Sequence, residues 1–597
     1  MRRNGSFHNR IKLQASPHTR FVALAALSQE GRGYKIGGAV LCFALLVASA
    51  LGQAPKGKVK PTDPPPPLTY HGLIPGLSTA DDVRKALGTP AWEAPWYAYK
   101  MLYNADGRPG LSDSVHLHGK EGAFACAEAA SAPAGLETRA QVEAKFGEPE
   151  QEVLMATFAL VDYSTKGVRF IFDGQGKTIG VAYFPHMQQR VHSGARRLID
   201  LSHLRQGSQP RPAHPADLGG LKAGVAEIKI TPTSPGWLPA RIRDGFRVHD
   251  DLFARTVMFE KDGVKIALVG ADLFGMSKSD IDPLRERAAA AGVHYVMFAM
   301  SHNHAAPDTI GVYGHYPEEY IAYIQDQVVQ CIAEAQKNLQ PVKELRTASR
   351  ELPIDGARVI GYIRNARNVG VVDPTLSVIQ PIGEDGKPIA TIVNFACHVE
   401  GLEKGVSDLS ADFPGYLCDQ IRRDGGGQGV FLNGAVGGMV SGDSKARTHE
   451  EAKVTGLGLA ALVKDLAATA QPPATSKVSI ETRRVEIPMT NQNFKPLYGT
   501  RRPLNRGRVV TEMALLTLGE AQLVTIPGEL LPEISFEIQE KMTGFPRILV
   551  GLANDELGYI VPEYDFRAGE YEESMSQGPA TAPIVRETAV RMLTGVK

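Results

Sequence analysis

At 597 residues the chain is longer than one compact domain usually runs, and 43% apolar residues suffice for ordinary globular cores. Lys+Arg and Asp+Glu balance at 65 each, so the electrostatic footprint of a nucleic-acid binder is missing and no nucleic-acid partner is expected. The five cysteines include no CxxC pair, which gives a thiolate zinc site no support.

In chain order, Arg32 and Lys35 precede an uncharged apolar run from Ile36 to Leu51, with small residues at Ala48, Ser49 and Ala50. Charged, then apolar, then small is the order of a secretory signal, assigned to residues 1–52. The run is shorter than the ~20 residues that span a bilayer comfortably. Secretion or a periplasmic location is therefore the expectation, with a membrane anchor over residues 36–52 as the alternative. Cys42 lies in this run. Export would permit a disulfide among Cys331, Cys397 and Cys418, whereas Cys126 stands apart. Buried free thiols are the competing reading.

Residues 53–68, QAPKGKVKPTDPPPPL, form a proline-rich spacer. A small α+β module of two similar halves is expected over residues 69–192. GLSTADDVRKALGTP (Gly76–Pro90) and GLETRAQVEAKFGEP (Gly135–Pro149) each place Thr as helix N-cap, an acidic or polar first turn, inward Val and Leu or Phe, and a Gly-x-Pro stop. Strand-like stretches follow at Thr157–Tyr163 and Gly167–Phe172, and DGQGK turns into another strand. The module resembles the small repeat modules of outer-membrane assembly lipoproteins, which implies binding or scaffolding. His116 and His118 read as polar-surface histidines.

A second linker spans residues 193–221 and the main domain residues 222–597. There strand-like runs (Val264–Gly270, Val293–Met300, Ile389–Cys397, Ala521–Ile526, Arg547–Leu552) alternate with helical patterns (Ile281–Ala291, Tyr316–Asn338, Phe413–Arg423, Thr448–Ala470, Pro583–Leu593). The expected fold class is an α/β catalytic domain with its sheets covered by helices, preceded by the small α+β repeat module.

Four places in this domain share a pattern: an apolar strand ends, and a metal-competent side chain follows. YVMFAMSHNHAAPD gives His302 and His304, which share one face if the backbone stays extended. IATIVNFACHVEG gives His398, LVTIPGELLPE presents Glu529 after a Pro-Gly turn, and the loop from Ile548 to Glu573 holds Tyr559 and Tyr571. Each has a bland alternative: loop histidines, a core histidine, a helix N-terminal glutamate, half-buried tyrosines. Together they sit where open α/β sheets bind ligands, outside the carboxyl ends of strands. Two imidazoles, a carboxylate and a phenolate suit Zn2+ with room for a water, and Fe or Mn remain open.

These elements, over about residues 223–597, resemble the catalytic domain of the neutral (non-lysosomal) ceramidases. GVAEIKITP (Gly224–Pro232) is similar to that family's opening strand, SHNHAAPD to its Thr-His-Thr-His-Ser-Gly-Pro element, NFACH to its second histidine element, IPGE to its Pro-Gly-Glu element, and GYIVPEYDFRAGEYE to its tyrosine element. RNARN (Arg364–Asn368) resembles its arginine segment, and SADFPG and FLNGAVGG read as backbone scaffolding. The resemblance implies one Zn2+ per chain held by His302, His398, Glu529 and Tyr559. It implies catalytic roles for His304, Arg367 (with Arg364 the second choice) and Tyr571, and a lipid-like N-acyl amide substrate met in association with a membrane surface or the envelope. Oligomeric state is left open. Asp272, in VGADLFG, is read either as a carboxylate orienting a ligand histidine or as a turn cap, and Glu400 as a weaker proton-shuttle candidate.

The sequence departs from the family at AVGGMVSGD (Ala435–Asp443), where Gly438 stands for an Asp and Ser441 aligns only with a shift, so no serine nucleophile is assigned. The family's immunoglobulin-like domain does not follow the tyrosine element: the sequence ends about 26 residues past Tyr571. Two alternatives stay open: a metal hydrolase acting on a different amide or an ester, and an envelope binding or scaffold protein with a structural or degenerate metal site.

Overall fold

The computed structural model describes residues 69–596 except 91, 95–99, 105–111, 118–123, 185–196, 203–215, 235–236, 238–246, 313–315, 355–357, 360, 369, 403–407, 442–446, 493–501, 503 and 567–569. Residues 1–52, read above as a signal, residues 53–68, read as a spacer, His118 and most of the stretch read as a second linker lie outside the described residues. Among the described residues no helix is long and apolar enough to cross a membrane.

Both repeat helices form as their sequences dictate. Helix Ala80–Leu87 starts at a capping box in which Thr79 and Asp82 satisfy each other's backbone amides. Helix Arg139–Phe146 does the same with Thr138 and Gln141. Each ends at a glycine with positive φ, Gly88 and Gly147. Val83, Val142 and Phe146 turn inward onto one sheet. Its strands are β1 (Trp92–Ala94), β2 (Lys100–Asn104), β3 (Ser112–Leu117), β4 (Phe124–Ala129), β5 (Gln151–Leu154), β6 (Phe158–Tyr163), β7 (Val168–Asp173), β8 (Thr178–Tyr183) and β9 (Arg197–Asp200), in the order β1-β2-β3-β4-β8-β7-β6-β5-β9.

β9 falls inside the stretch expected to be linker. It pairs parallel to β5 and closes one edge of the module's sheet. The module is also docked on the rest of the chain. Leu160, Ile171 and Ile199 pack with Val371 and Phe536. The Glu351 carboxylate accepts from the amides of Ala156 (2.9 Å) and Thr157 (3.0 Å), and Arg197 pairs with Glu537 at 2.5 Å.

The larger part opens with β10 (Lys222–Lys229), then β11 (Arg247–Val248), β12 (Phe253–Lys261), β13 (Val264–Ala271), β14 (Tyr295–Met300), β15 (Gln340–Glu351), β16 (Arg358–Val359), β17 (Ile363–Asn365), β18 (Thr375–Gly383), β19 (Ala390–Phe395), β20 (Asp408–Leu409), β21 (Gln428–Asn433), β22 (Met439–Ser441), β23 (Val478–Pro488), β24 (Arg508–Leu518), β25 (Ala521–Thr525), β26 (Glu529–Leu530), β27 (Arg547–Val550) and β28 (Tyr559–Ile560). An eight-stranded sheet runs β14-β13-β12-β10-β15-β18-β19-β21, and a four-stranded sheet runs β23-β24-β25-β27. Strands from the two ends of the long sheet face each other: Leu268 and Met297 share a core with Val430 and Leu432, joined by Leu523 and Ile548 of the shorter sheet. Gly270 allows this, because a Cβ there would lie 2.8 Å from the Phe431 carbonyl. Helix Glu318–Lys337 covers one face with Tyr320, Ile324, Val328 and Ile332. Helices Asp412–Arg423 and His449–Thr469 cover another with Phe413, Leu417, Leu459 and Val463.

Within the eight- and four-stranded sheets most pairing is antiparallel, but three pairs are parallel: β13 with β14, β19 with β21, and β25 with β27. Between the members of each pair lies a helix, Lys278–Ala290, Asp412–Arg423 and Pro532–Gln539 respectively, as a parallel connection requires. The architecture is mixed α/β, as expected, with the long antiparallel strands β15, β18, β23 and β24 added to what the sequence patterning shows.

Candidate metal centre

Each sequence-selected ligand follows a strand of one of these parallel pairs. His302 follows β14, His398 follows β19, Glu529 follows β25 and Tyr559 follows β27. The backbone between His302 and His304 is not extended. His302 has φ +65°, a left-handed conformation that costs a non-glycine residue energy and marks a turn. The turn is fixed by a bridge between Asn303 and Val399 and by the His304 amide donating to the Val399 carbonyl at 2.9 Å. Those bonds lock the His302–His304 turn to the residue after His398. The ring centroids of His302 and His304 are 4.8 Å apart, as are those of His302 and His398.

The tautomers follow from the neighbours. His302 Nδ1 lies 2.9 Å from the Phe274 carbonyl, and His398 Nδ1 lies 3.1 Å from the Met439 carbonyl. A carbonyl only accepts, so both Nδ1 atoms carry hydrogen and both Nε2 atoms face inward. There they meet Glu529 Oε2, at 3.4 Å from His302 and 3.0 Å from His398. The Tyr559 hydroxyl is 3.4 Å from His398 Nε2. Glu529 and Tyr559 are themselves paired across the short parallel β26–β28 ladder. All four residues are buried.

Two ligands ~2.0–2.1 Å from a tetrahedral ion lie roughly 3.3 Å apart, the spacing these atoms show. One donor atom from each of His302, His304 and His398 also lies within 4.8 Å of the others. These three imidazoles could hold a metal ion, with Glu529 facing two of them. The chemistry of the set fits a cation. A carboxylate oxygen that takes no other hydrogen bond faces two inward nitrogens, and a cation satisfies all three lone pairs at once.

Burial lowers the His302 imidazole below the usual range, against the pull of Glu529. Burial also acts on His398, but hydrogen bonding and charge from Glu529 outweigh it and lift that ring to about 9. Burial alone would raise Glu529, yet the two histidines hold it well below ordinary carboxylates. A cation held here would compete with protonation of His398, because both use its Nε2.

Asp272 does not orient a ligand histidine. Its carboxylate takes both contacts from Arg255 Nη1, at 3.0 and 2.8 Å, and the Phe253 amide at 2.9 Å. The histidine is oriented instead by the carbonyl of Phe274, two residues further on. Arg367 is also placed differently from an open carbonyl-binding group. Its side chain is 2% exposed, and Nη2 donates to Glu573 Oε1 and to the Asp565 carbonyl, both at 2.6 Å. Nε is left without a hydrogen-bond partner. Arg367 thus anchors the short helix Tyr571–Ser574, whose Tyr571 ring lies 5.8 Å from that of Tyr559. Arg364 lies in β17, opposite Val440 of β22. Glu400 is buried, with Oε1 unbonded and Oε2 3.8 Å from Arg447.

Two groups around the centre escaped the sequence reading. Asn433, wholly buried at the end of β21, donates to the carbonyls of Ser301 (2.8 Å) and Cys397 (2.9 Å) and accepts from the amides of Cys397 (3.1 Å) and Gly434 (2.9 Å). It ties the two histidine-bearing segments together. Its signal was a polar residue closing an apolar strand before glycine. Glu556 is buried beside the centre, and burial followed by the Glu529 charge pushes its carboxyl well up. Gly437 and Gly438 explain the glycine pair of the departing segment. A Cβ at Gly437 would sit 2.6 Å from the Glu529 carbonyl, and Gly438 has φ +72° with Asn365 against it.

No family model matches the chain, and no curated relative matches its sequence. In fold it is similar to a ceramidase solved in complex with C2, with TM-score 0.52 and 18% identity, over 63% of this chain and 75% of that one. It is similar to the same extent of coverage to the neutral ceramidase from Pseudomonas aeruginosa, with TM-score 0.51 and 18% identity. The chain therefore has a ceramidase-like fold with a candidate histidine metal site at the ends of its parallel strands.

Proposed function

We propose that the protein is a zinc-dependent hydrolase that cleaves an N-acyl amide of ceramide-like lipid character. The observation that carries this reading is the convergence of His302, His398, Glu529 and Tyr559 within 3.0–3.4 Å contacts on a fold similar to ceramidases. Those four residues would hold the ion, and His304 would stay on the substrate side. A bound Zn2+ supplies Lewis acidity, polarising a carbonyl and making water nucleophilic near neutral pH. The chain's own part is to position and to move protons. Tyr571 would donate a hydrogen bond to the developing oxyanion, a contact worth about 3 kcal/mol where it is preorganised. Arg367 Nε is the one donor of that side chain left for the same oxygen. Its other nitrogens fix Tyr571 through Glu573. His304 would hold the attacking water and return its proton to the leaving nitrogen.

The reading is tested by zinc content and N-acyl amide hydrolysis in three proteins. Wild type is expected to carry zinc and to turn over. His302→Ala should lose both. His304→Ala should keep the metal and lose turnover. Activity in a metal-free His302→Ala protein would refute the assignment, and loss of metal in His304→Ala would move that residue into the ligand set. A second reading, hydrolysis of a different amide or an ester at the same centre, is compatible with the 18% identity to the ceramidases. A substrate panel separates the two.

A further inference from the structure

The module built from β1 to β9 has no part in the chemistry described so far, yet it rests on the two segments that carry the substrate-side groups. One half of that contact is apolar. Leu160, Ile171 and Ile199 pack with Val371 and Phe536. Val371 closes the segment that carries Arg367: Asn365 Nδ2 donates to the Val371 carbonyl at 2.7 Å, and Asn365 Oδ1 accepts from the Arg367 amide at 2.9 Å.

The other half is charged. Arg197 of β9 pairs with buried Glu537 at 2.5 Å, and its guanidinium lies 5.5 Å from the centre of the Tyr564 ring. The Tyr564 hydroxyl donates to the same carboxylate at 3.1 Å. Burial and the Glu537 charge push that hydroxyl well up, so it stays a donor. Tyr564 lies in the 3-10 turn Glu563–Asp565. Its neighbour Asp565 accepts from Arg367 Nη2 through the backbone carbonyl at 2.6 Å and from Asn368 Nδ2 through the side chain at 3.0 Å. Arg367 Nη2 in turn donates to Glu573 Oε1, in helix Tyr571–Ser574. Bonds between guanidinium and buried carboxylate are short and directional, so the path from β9 to this helix is stiff at both ends. The histidine ligands hang on different partners, the carbonyls of Phe274 and Met439.

We infer that Arg197 is a positioning residue: the module clamps the Tyr564 turn and the Val371 segment, and through Arg367 sets where the Tyr571 hydroxyl stands. The role of Tyr571 rests on the hydrolase reading above. On that reading the fused module is part of the substrate-side wall, and its grip bears on Tyr571 rather than on the metal. A misplacement of about 1 Å in a group that meets the reacting carbonyl can cost on the order of 10²-fold in rate.

The test compares the full chain as wild type, Arg197→Gln, Tyr571→Phe and the double variant, for zinc content, hydrolysis of a short-chain ceramide and amide hydrogen exchange. In Arg197→Gln the Glu537 carboxylate keeps Arg586 Nη1 at 3.0 Å and the Tyr564 hydroxyl, so no buried charge is orphaned and the fold should hold. Arg197→Gln is expected to keep its zinc and lower kcat roughly tenfold with KM little changed. In the Tyr571→Phe background, where the positioned group is gone, the same change should cost less than about threefold. Arg197→Glu, which sets a second carboxylate against Glu537, should deepen the loss. The amides of Asn365–Asn368 and Tyr571–Ser574 should exchange faster in Arg197→Gln, with those of β14 unchanged. Equal losses in both backgrounds, an unchanged kcat, or loss of zinc would each overturn the positioning role. If wild type hydrolyses no N-acyl amide, the hydrolase reading fails, and exchange alone decides the clamp: faster exchange in the two segments upholds it and unchanged exchange refutes it.

Discussion

Asn433 offers the sharpest test of how the centre is assembled. Replacing it by alanine removes four buried hydrogen bonds to backbone groups, two donated and two accepted. At about 1 kcal/mol net for each, and more where a buried partner is left unsatisfied, Asn433→Ala should destabilise the protein by at least about 4 kcal/mol. The freed groups are the carbonyl next to His302, both backbone groups next to His398, and the Gly434 amide. Zinc affinity should therefore fall together with stability. Asn433→Asp separates the contributions. It keeps the acceptors, but at neutral pH it places a carboxylate against two carbonyls. Burial raises that carboxyl above its unfolded value, so stability is lost as pH rises through the raised value and partly recovered in acid, where the protonated group donates once. Urea unfolding at pH 5 and pH 8, with metal analysis of each protein, reads both effects. A loss under about 1 kcal/mol for Asn433→Ala with metal content intact would refute the tie between the two histidine segments.

The glycine pair and the thiols give further tests. Gly437→Ala should cost about 1–3 kcal/mol and weaken metal binding, because the added Cβ meets the Glu529 carbonyl at 2.6 Å and backbone cannot swing aside; an unchanged melting temperature and zinc content would count against it. Burial pushes the Cys331 thiol up to about 11 and the Cys418 thiol up to about 12, and Cys397 is also raised by burial. The thiolate fraction at pH 8 is then on the order of 10⁻³ or less at Cys331 and Cys418, and burial disfavours the Cys397 thiolate in the same direction, so iodoacetamide should spare all three in the native protein and modify them on unfolding, and rapid native labelling would contradict their burial.

The sequence carried the local half of this molecule. Thr79 with Asp82 and Thr138 with Gln141 announce their helices, because a capping box is complete within four residues. The apolar runs of β13, β14, β19, β25 and β27 are legible because parallel strands are buried on both faces. What was hidden depends on register and on long-range pairing. β23, VSIETRRVEIP, is mostly half-exposed and heavily charged, so it shows no apolar run. The Asp272–Arg255 pair arises because β12 and β13 set Arg255 opposite Gly270, just before Asp272 in the chain. Nothing near Asp272 in the sequence names that partner. Nor does the sequence of β5 announce that residues 197–200 will pair with it.

The site itself lay between these two cases. The candidate ligands follow from residue types after strands, but their convergence follows from topology. Strands in a parallel pair joined by a helix run the same way, so both carboxyl ends emerge on one side. Three such units packed around one core bring the ends of β13, β14, β19, β21, β25 and β27 together, and each end contributes a part. β14 gives His302, β19 gives His398, and the segments after β25 and β27 give Glu529 and Tyr559. β13 gives the Phe274 carbonyl, and β21 gives Asn433. The left-handed turn at His302 completes the design. An extended chain would place His302 and His304 on one face as equivalent ligands. The turn instead sends His302 Nδ1 to Phe274 and its Nε2 to Glu529, and His304 remains beside the centre with its backbone held by Val399. Under the proposed function, that inequivalence is what would let one histidine bind the ion and the other act on substrate.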